Sequence, residues 1–217
     1  KAWSAADEHI LKFIEENNIS FTKPIAYNDR FGFLSTILSE QHPNVVLNFK
    51  SQEKAIDQNL RNNDIDPDAI SKITPLDKLK SCFDLALIKT PKSLDLFRLQ
   101  IAEVHKHTNE DATVVCAFMT KYFSPQILSI AKDYFEECEQ SKGWKKSRLL
   151  ILKKKKKVQE QEFKNTIPFS DTKSFTQYYG VFSAKNIDYA TQFFIENLEV
   201  KLSDNKILDL ASGNGVL

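Results

Sequence analysis

The strongest constraint on this chain is a recurrence. Five short apolar segments, residues 24–28, 45–49, 84–88, 113–118 and 148–152, are separated by stretches whose apolar residues follow helical spacing. The run Thr113-Val114-Val115-Cys116-Ala117-Phe118 carries no charge, as a strand buried on both faces requires. Strands alternating with helices of about 10–15 residues form right-handed crossover units. The expected fold class is therefore α/β: a mostly parallel sheet with helices on both faces.

The helices have their own marks. Ser4 with Asp7 three residues on is a weak capping box, opening a helix with Ile10, Leu11 and Ile14 on one side. Gly32 precedes a helix through Ile37 and Leu38, and a polar helix spans 51–63 until residues 64–67 break it. Ser93 caps a helix in which Leu94, Phe97, Ile101 and Val104 share a face, and a further helix is expected over 124–139.

Beyond Lys157 the pattern changes. Residues 158–176 read as polar and irregular, with Pro168 interrupting any regular element. A helix returns over 186–197, and residues 206–210 read as a new strand running into Ser212-Gly213-Asn214-Gly215. The expected division is a first domain over 1–157, a connector over 158–205 and the opening strand and glycine loop of a second α/β domain over 206–217. The start at Lys1 and the stop at Leu217 read as cuts in a longer protein.

Charge is unevenly spread. Residues 142–157 hold nine Lys or Arg and no acid, leaving 21 bases against 29 acids elsewhere, a net of −8. A basic stretch on an acidic body points to an anionic partner. Lys145, Lys146 and Arg148, placed on a strand beside Trp144, are candidates to meet phosphates and stack a base. Two readings stay open, because a lysine run is also an ordinary solvated face and Trp144 an ordinary core residue. Three cysteines without metal-ligand spacing suggest a reducing cytoplasm, with Cys116 a small buried hydrophobe. His105 and His107 have metal-like spacing but read as surface residues, so no metal is expected. No apolar run approaches the roughly 20 residues of a membrane helix, so no membrane partner is expected either.

A strand ending in an acid, followed by glycines two apart, is what a nucleotide-type ligand needs at the mouth of a parallel sheet. The missing side chains let ligand and backbone approach each other. Ile207-Leu208-Asp209-Leu210-Ala211-Ser212-Gly213-Asn214-Gly215 resembles the first motif of class I S-adenosylmethionine methyltransferases, with Ala211 where that family usually has its first Gly. Upstream, Tyr179-Gly180-Val181-Phe182-Ser183, Ile187-Asp188 and Phe193-Phe194 resemble the lead-in of the bacterial ribosomal-RNA guanine-N2 methyltransferases. The segments Ala2-Trp3-Ser4-Ala5-Ala6-Asp7-Glu8, Asn28-Asp29-Arg30-Phe31-Gly32, Ile88-Lys89-Thr90-Pro91-Lys92 and Trp144-Lys145-Lys146-Ser147-Arg148-Leu149 resemble the large-subunit branch of that group.

The resemblance implies a Rossmann-like fold duplicated along the chain, the first copy degenerate. Where a cofactor loop needs space, the chain has Asn28-Asp29-Arg30-Phe31-Gly32. Where an acid would hold the cofactor ribose, it has Phe49 and Lys50, and where an Asn-Pro-Pro-aromatic loop would receive the target amine, Lys89-Thr90-Pro91-Lys92. It also implies S-adenosylmethionine as cofactor of the full-length protein, held by Asp209, Gly213 and Gly215, with Gly180, Phe182, Ser183 and Asp188 at the edge of the active site. Lys89 and Lys92 join Trp144, Lys145, Lys146 and Arg148 as candidates for RNA contact. Catalytic residues are expected beyond Leu217, so this stretch alone should bind no cofactor and be inactive. The expected activity is methylation of guanine N2 in large-subunit (23S) ribosomal RNA by a cytoplasmic monomer. The alternatives are a non-enzymatic RNA-binding or assembly module and the small-subunit guanine-N2 enzyme.

Overall fold

A computed structural model describes residues 3–79, 82–170, 172–199, 201, 203, 205–210 and 212–216. The chain forms two compact units, 1–158 and 159–217.

The first unit runs α1 (Ala5–Glu16), β1 (Pro24–Tyr27), α2 (Phe33–Ile37), β2 (Asn44–Val46), α3 (Lys50–Arg61), β3 (Ser71–Ile73), β4 (Phe83–Lys89), α4 (Leu94–His107), β5 (Thr108–Met119), α5 (Pro125–Tyr134), β6 (Phe135–Gln140) and β7 (Ser147–Lys155). Its strands form one seven-stranded sheet in the order β3-β2-β1-β4-β5-β7-β6. β1 to β5 are parallel, and β7 runs antiparallel to β5 and β6.

Side-chain alternation divides the core. Leu85, Leu87, Val115, Ala117, Leu149 and Ile151 cluster with Ala6 and Ile10 of α1 and with Leu34 and Leu38. Their neighbours Ala86, Ile88, Val114, Cys116, Leu150 and Leu152 are equally buried and point to the opposite face, which α4 and α5 cover. A second cluster of Val45, Leu47, Ile56, Leu60 and Ile70 seats α3. Each fully buried Leu, Ile or Phe contributes about 1.5–3 kcal/mol. Cys116 is such a hydrophobe, its thiol pushed well above the ordinary range by burial.

Several elements differ from expectation. The helix expected over 124–139 ends at Tyr134, because Phe135–Gln140 leaves it to pair with β7, Glu137 opposite Lys153. Pairing with a lysine-rich neighbour overrides local helix preference, and acids suit an edge strand. β3, three residues long, carries too little pattern to be read. Lys145 and Lys146 lie in a tight turn rather than on a strand. Both have positive φ, 44° and 62°, and Trp144 and Ser147 exchange backbone hydrogen bonds across them at 2.7 and 2.9 Å. His105 and His107 are half-buried, not surface residues. His105 lies against the rings of Tyr134 and Phe135, and burial pushes both imidazoles below their ordinary pKa.

The second unit holds a hairpin of β8 (Lys164–Ser170) and β9 (Lys173–Tyr178), then α6 (Tyr189–Asn197). The hairpin replaces the irregular segment expected there. Pro168 falls at its register irregularity, in a two-stranded ribbon that tolerates a missing donor. The strand expected over 206–210 is not formed: Ile207, Leu208 and Leu210 are 73%, 84% and 85% exposed and pair with no strand among the described residues. A strand is stable only as part of a ladder, whatever its own pattern.

Among the described residues no helix is long and apolar enough to cross a membrane, and no group of three or more His, Cys, Asp or Glu could hold a metal.

Candidate functional site

In an open parallel sheet, ligands bind beyond the carboxyl ends of the strands, where the strand order reverses. In the first unit that point lies between β1 and β4, and the chain's own side chains fill it. Asn28, with φ 62°, donates to the carbonyl of Lys89 at 2.7 Å and to Gln100 Oε1 at 2.9 Å. Its Oδ1 accepts from Gln100 Nε2 at 3.0 Å and from Asn48 Nδ2. One amide network thus ties the ends of β1, β2 and β4 to α4. Asp29 is buried and accepts the backbone N–H and hydroxyl of Ser35 at 2.8 and 2.7 Å, anchoring α2. Burial raises its carboxyl above the usual aspartate range despite those two bonds.

Gly32 shows the same closure. Its φ is +77°, and an added Cβ would lie 3.0–3.3 Å from Ile56. The glycine makes room for the protein's own α3, not for a ligand. Phe49, where a ribose-holding acid would stand, is 67% exposed.

The loop after β4 is locked as well. Lys89 Nζ lies 2.9 Å from Asp7 Oδ1, whose side chain is fully buried. Asp7 also closes back on Ser4, accepting its N–H at 2.7 Å and its hydroxyl at 2.8 Å. The weak capping box therefore doubles as the counter-ion of Lys89. Next to it Lys145 pairs with Glu8 at 2.9 Å, with its ammonium 4.3 Å from the Trp144 ring centroid. His9 bonds to Ser147 at 3.0 Å, and its ring lies 5.5 Å from that of Trp144. Trp144 is half-buried, and Arg148 is exposed on β7.

The structure splits the basic stretch between the two ends of the sheet. β7 starts beside the carboxyl end of β5, Met119 opposite Ser147, and runs away from it. Lys145 and Lys146 therefore sit at the mouth, and Lys153 to Lys157 at the foot. There Lys154 pairs with Glu137, Lys155 with Glu110 at 3.6 Å, and Lys156 donates to the carbonyl of Lys132 at 2.6 Å. Lys92 is exposed at the mouth, its ammonium 5.3 Å from the ring of Tyr122, a residue sequence reasoning did not single out.

The second unit brings together two segments the sequence marks separately. Asn214 of the glycine loop donates to the carbonyl of Phe182 at 3.4 Å. Gly213 and Gly215 have φ of 60° and 76°, and a Cβ added at Gly215 would meet nothing within 4 Å. Asp209 and Gly180 are exposed, and Phe182 is 70% exposed. Ser183, with φ 52°, donates to the carbonyl of Asn186 at 2.7 Å. Asp188 caps α6, accepting from the N–H of Ala190 and Thr191 and from the Thr191 hydroxyl. The bonds from Thr191 lower its carboxyl below the ordinary range. Both glycines of this loop are thus left-handed, and a side chain at Gly215 would meet no neighbour among the described residues. Ala211 lies outside the described residues.

Strand order and antiparallel β7 define a class I methyltransferase fold, and solved structures share it. The chain aligns with the T. thermophilus 16S rRNA N2 methyltransferase (RsmC), solved with AdoMet and guanosine, at TM-score 0.63 and 14% identity, over 89% of this chain and 51% of that one. It aligns with the ribosomal protein L11 methylase of Lactobacillus delbrueckii at TM-score 0.55 and 18% identity, over 67% of this chain and 76% of that one. The family model RLMG N-terminal domain matches residues 1–158, and the chain belongs to that family. The model Methyltransferase small domain matches residues 172–217. Among curated proteins, the Ribosomal RNA large subunit methyltransferase G of Yersinia enterocolitica is 29% identical over 100% of this chain and 55% of its own length. The protein of that name from Colwellia psychrerythraea is 26% identical over 100% of this chain and 60% of its own length. The chain thus spans little more than half the length of these relatives.

Proposed function

We propose that this chain is the RNA-holding and supporting part of an enzyme that methylates large-subunit (23S) ribosomal RNA at guanine N2, using S-adenosylmethionine in the cytoplasm as a monomer. Residues 1–157 are the degenerate methyltransferase copy, 158–205 lead into the catalytic domain, and 206–217 supply its cofactor loop. One observation carries this reading: the strand ends at the mouth of the first unit are occupied by its own Asn28, Asn48, Gln100 and Ile56 side chains. In the full-length enzyme Asp209, Gly213 and Gly215 hold the methionine side of the cofactor, and the bound cofactor supplies the methyl group. Gly180 to Ser183, joined to the loop through Asn214, border the site. The target base is unstacked from the RNA to reach it. A cofactor pocket must bury most of its ligand, and this chain covers 55% and 60% of the two relatives' lengths; on this reading it is inactive by itself.

The test is transfer of radiolabelled methyl to deproteinised 23S and 16S ribosomal RNA by the longer protein and by this chain, followed by digestion to nucleosides. Label in N2-methylguanosine from 23S RNA, made by the longer protein only, is the expected result. Label confined to 16S RNA, to another nucleoside or to neither contradicts the reading.

A further inference from the structure

We infer that the mouth of the seven-stranded sheet carries a platform for single-stranded RNA centred on Tyr122, with Lys92, Lys121 and Lys146 as its phosphate contacts and the foot of the sheet uninvolved. The inference rests on reading this chain as the RNA-holding part of a methyltransferase. What it adds is the place.

Three segments meet there. Lys92 follows β4, the 3-10 turn Thr120–Tyr122 follows β5, and Lys146 sits in the turn that opens β7. The Lys146 carbonyl accepts from the Thr120 N–H at 2.9 Å and hydroxyl at 3.2 Å, so the two turns form one surface. Below it Phe118 and Phe123 stack with centroids 5.1 Å apart, fixing both ends of the Tyr122 turn. The Tyr122 ring is half exposed, and the ammonium groups of Lys121 and Lys92 lie 4.7 and 5.3 Å from its centroid. Attraction to the ring faces holds the two cations over the ring, and a stacking base displaces at least one of them towards its flanking phosphates.

Charge pairing engages lysines on either side of this surface and two of those at the foot, where Lys153, Lys156 and Lys157 likewise have no acid within ion-pair distance among the described residues. Lys89 and Lys145 are bound to Asp7 and Glu8, and at the foot Lys154 and Lys155 are bound to Glu137 and Glu110. Among the described residues none of Lys92, Lys121 and Lys146 has an acid within ion-pair distance. Unpaired cations around an exposed ring are what a single strand needs: the ring takes a base face and the cations take the flanking phosphates. Arg30, over the exposed Phe31 ring at 5.2 Å in the loop after β1, extends the same end of the sheet.

The test uses the 217-residue chain and a fluorescent single-stranded RNA of about 12 nucleotides, with affinity measured across a salt series. Lys92→Gln with Lys121→Gln should flatten the log–log salt slope by about 1.4, at about 0.7 per phosphate contact on single strands. Tyr122→Ala should leave the slope unchanged and weaken binding about 5- to 150-fold, while Tyr122→Phe keeps most of the affinity. Lys153→Gln with Lys154→Gln, at the foot, should change little. Melting curves confirm that each variant folds. If folded mouth variants keep the wild-type slope and affinity, or the foot pair matters as much, the platform is misplaced while the RNA reading survives. If the unaltered chain binds no RNA, or binds an acidic peptide of equal charge as tightly, both fail.

Discussion

Two glycine loops follow the same local logic in this chain and end in opposite states. Gly32 and Gly215 have nearly the same φ, +77° and +76°. At Gly32 the space a side chain would need belongs to Ile56, and Asn28, Asn48 and Gln100 occupy the strand ends around it. At Gly215 nothing lies within 4 Å. A left-handed glycine marks where the chain must turn, but what faces the turn decides whether it serves a ligand or the core. The first loop is part of the packing of its own domain, and nothing described packs against Gly215.

If the first mouth is now structure, breaking it should cost stability. Lys89→Ala has the largest expected effect, because it leaves the fully buried Asp7 without its counter-ion. Breaking such a pair costs about 3–5 kcal/mol, towards the lower end here because the Lys89 side chain is 23% exposed. Denaturant unfolding of the single variant and of Asp7→Leu/Lys89→Met checks it. The double variant should recover most of the loss, and an equally unstable double variant would mean that packing rather than charge is at stake.

Gly32→Ala comes next. A left-handed Ala costs about 1–2 kcal/mol, and crowding Ile56 adds about 1–3 kcal/mol. Gly215→Ala bears only the first of these and should leave the melting of the first unit unchanged. Equal losses at the two glycines would erase the contrast between the loops.

The smallest effect is in pH dependence. Burial raises the Asp29 carboxyl above its ordinary value of 3.8. Its contribution to stability is therefore complete below that value and falls as pH rises through the raised folded pKa. Asp29→Asn removes this titration but can still accept from Ser35, so its stability relative to wild type should improve as pH rises from about 4. Parallel profiles for the two proteins would show that Asp29 titrates normally.

The parts of this structure legible in sequence are those decided locally. Runs such as residues 113–118 announce strands buried on both faces, and the departures at Asn28, Phe49 and Lys89 mark the mouth as altered. What filled that mouth was not legible, because the partners are distant. Lys89 meets Asp7 across 82 positions, and Asn28 meets Gln100 across 72. β6 was hidden for the same reason, since the lysines of β7 draw its acids out of a helix. The basic stretch misled most: continuous in sequence, it is carried by β7 from one end of the sheet to the other, and pairing with acids neutralises part of it. Tyr122 gave no sequence signal, as its role depends on lysines from two loops. In the second unit, the glycine motif and its lead-in were readable and are joined through Asn214. The strand pattern before the loop remains unpaired.

Whether the filled mouth of the first unit excludes the cofactor is read by calorimetric titration of the 217 residues with S-adenosylmethionine. No measurable heat is expected at cofactor concentrations up to about 1 mM, where even a Kd of that size corresponds to only about −4 kcal/mol. Saturable binding with a micromolar Kd, about −8 kcal/mol, would mean that the filled mouth still opens to the cofactor.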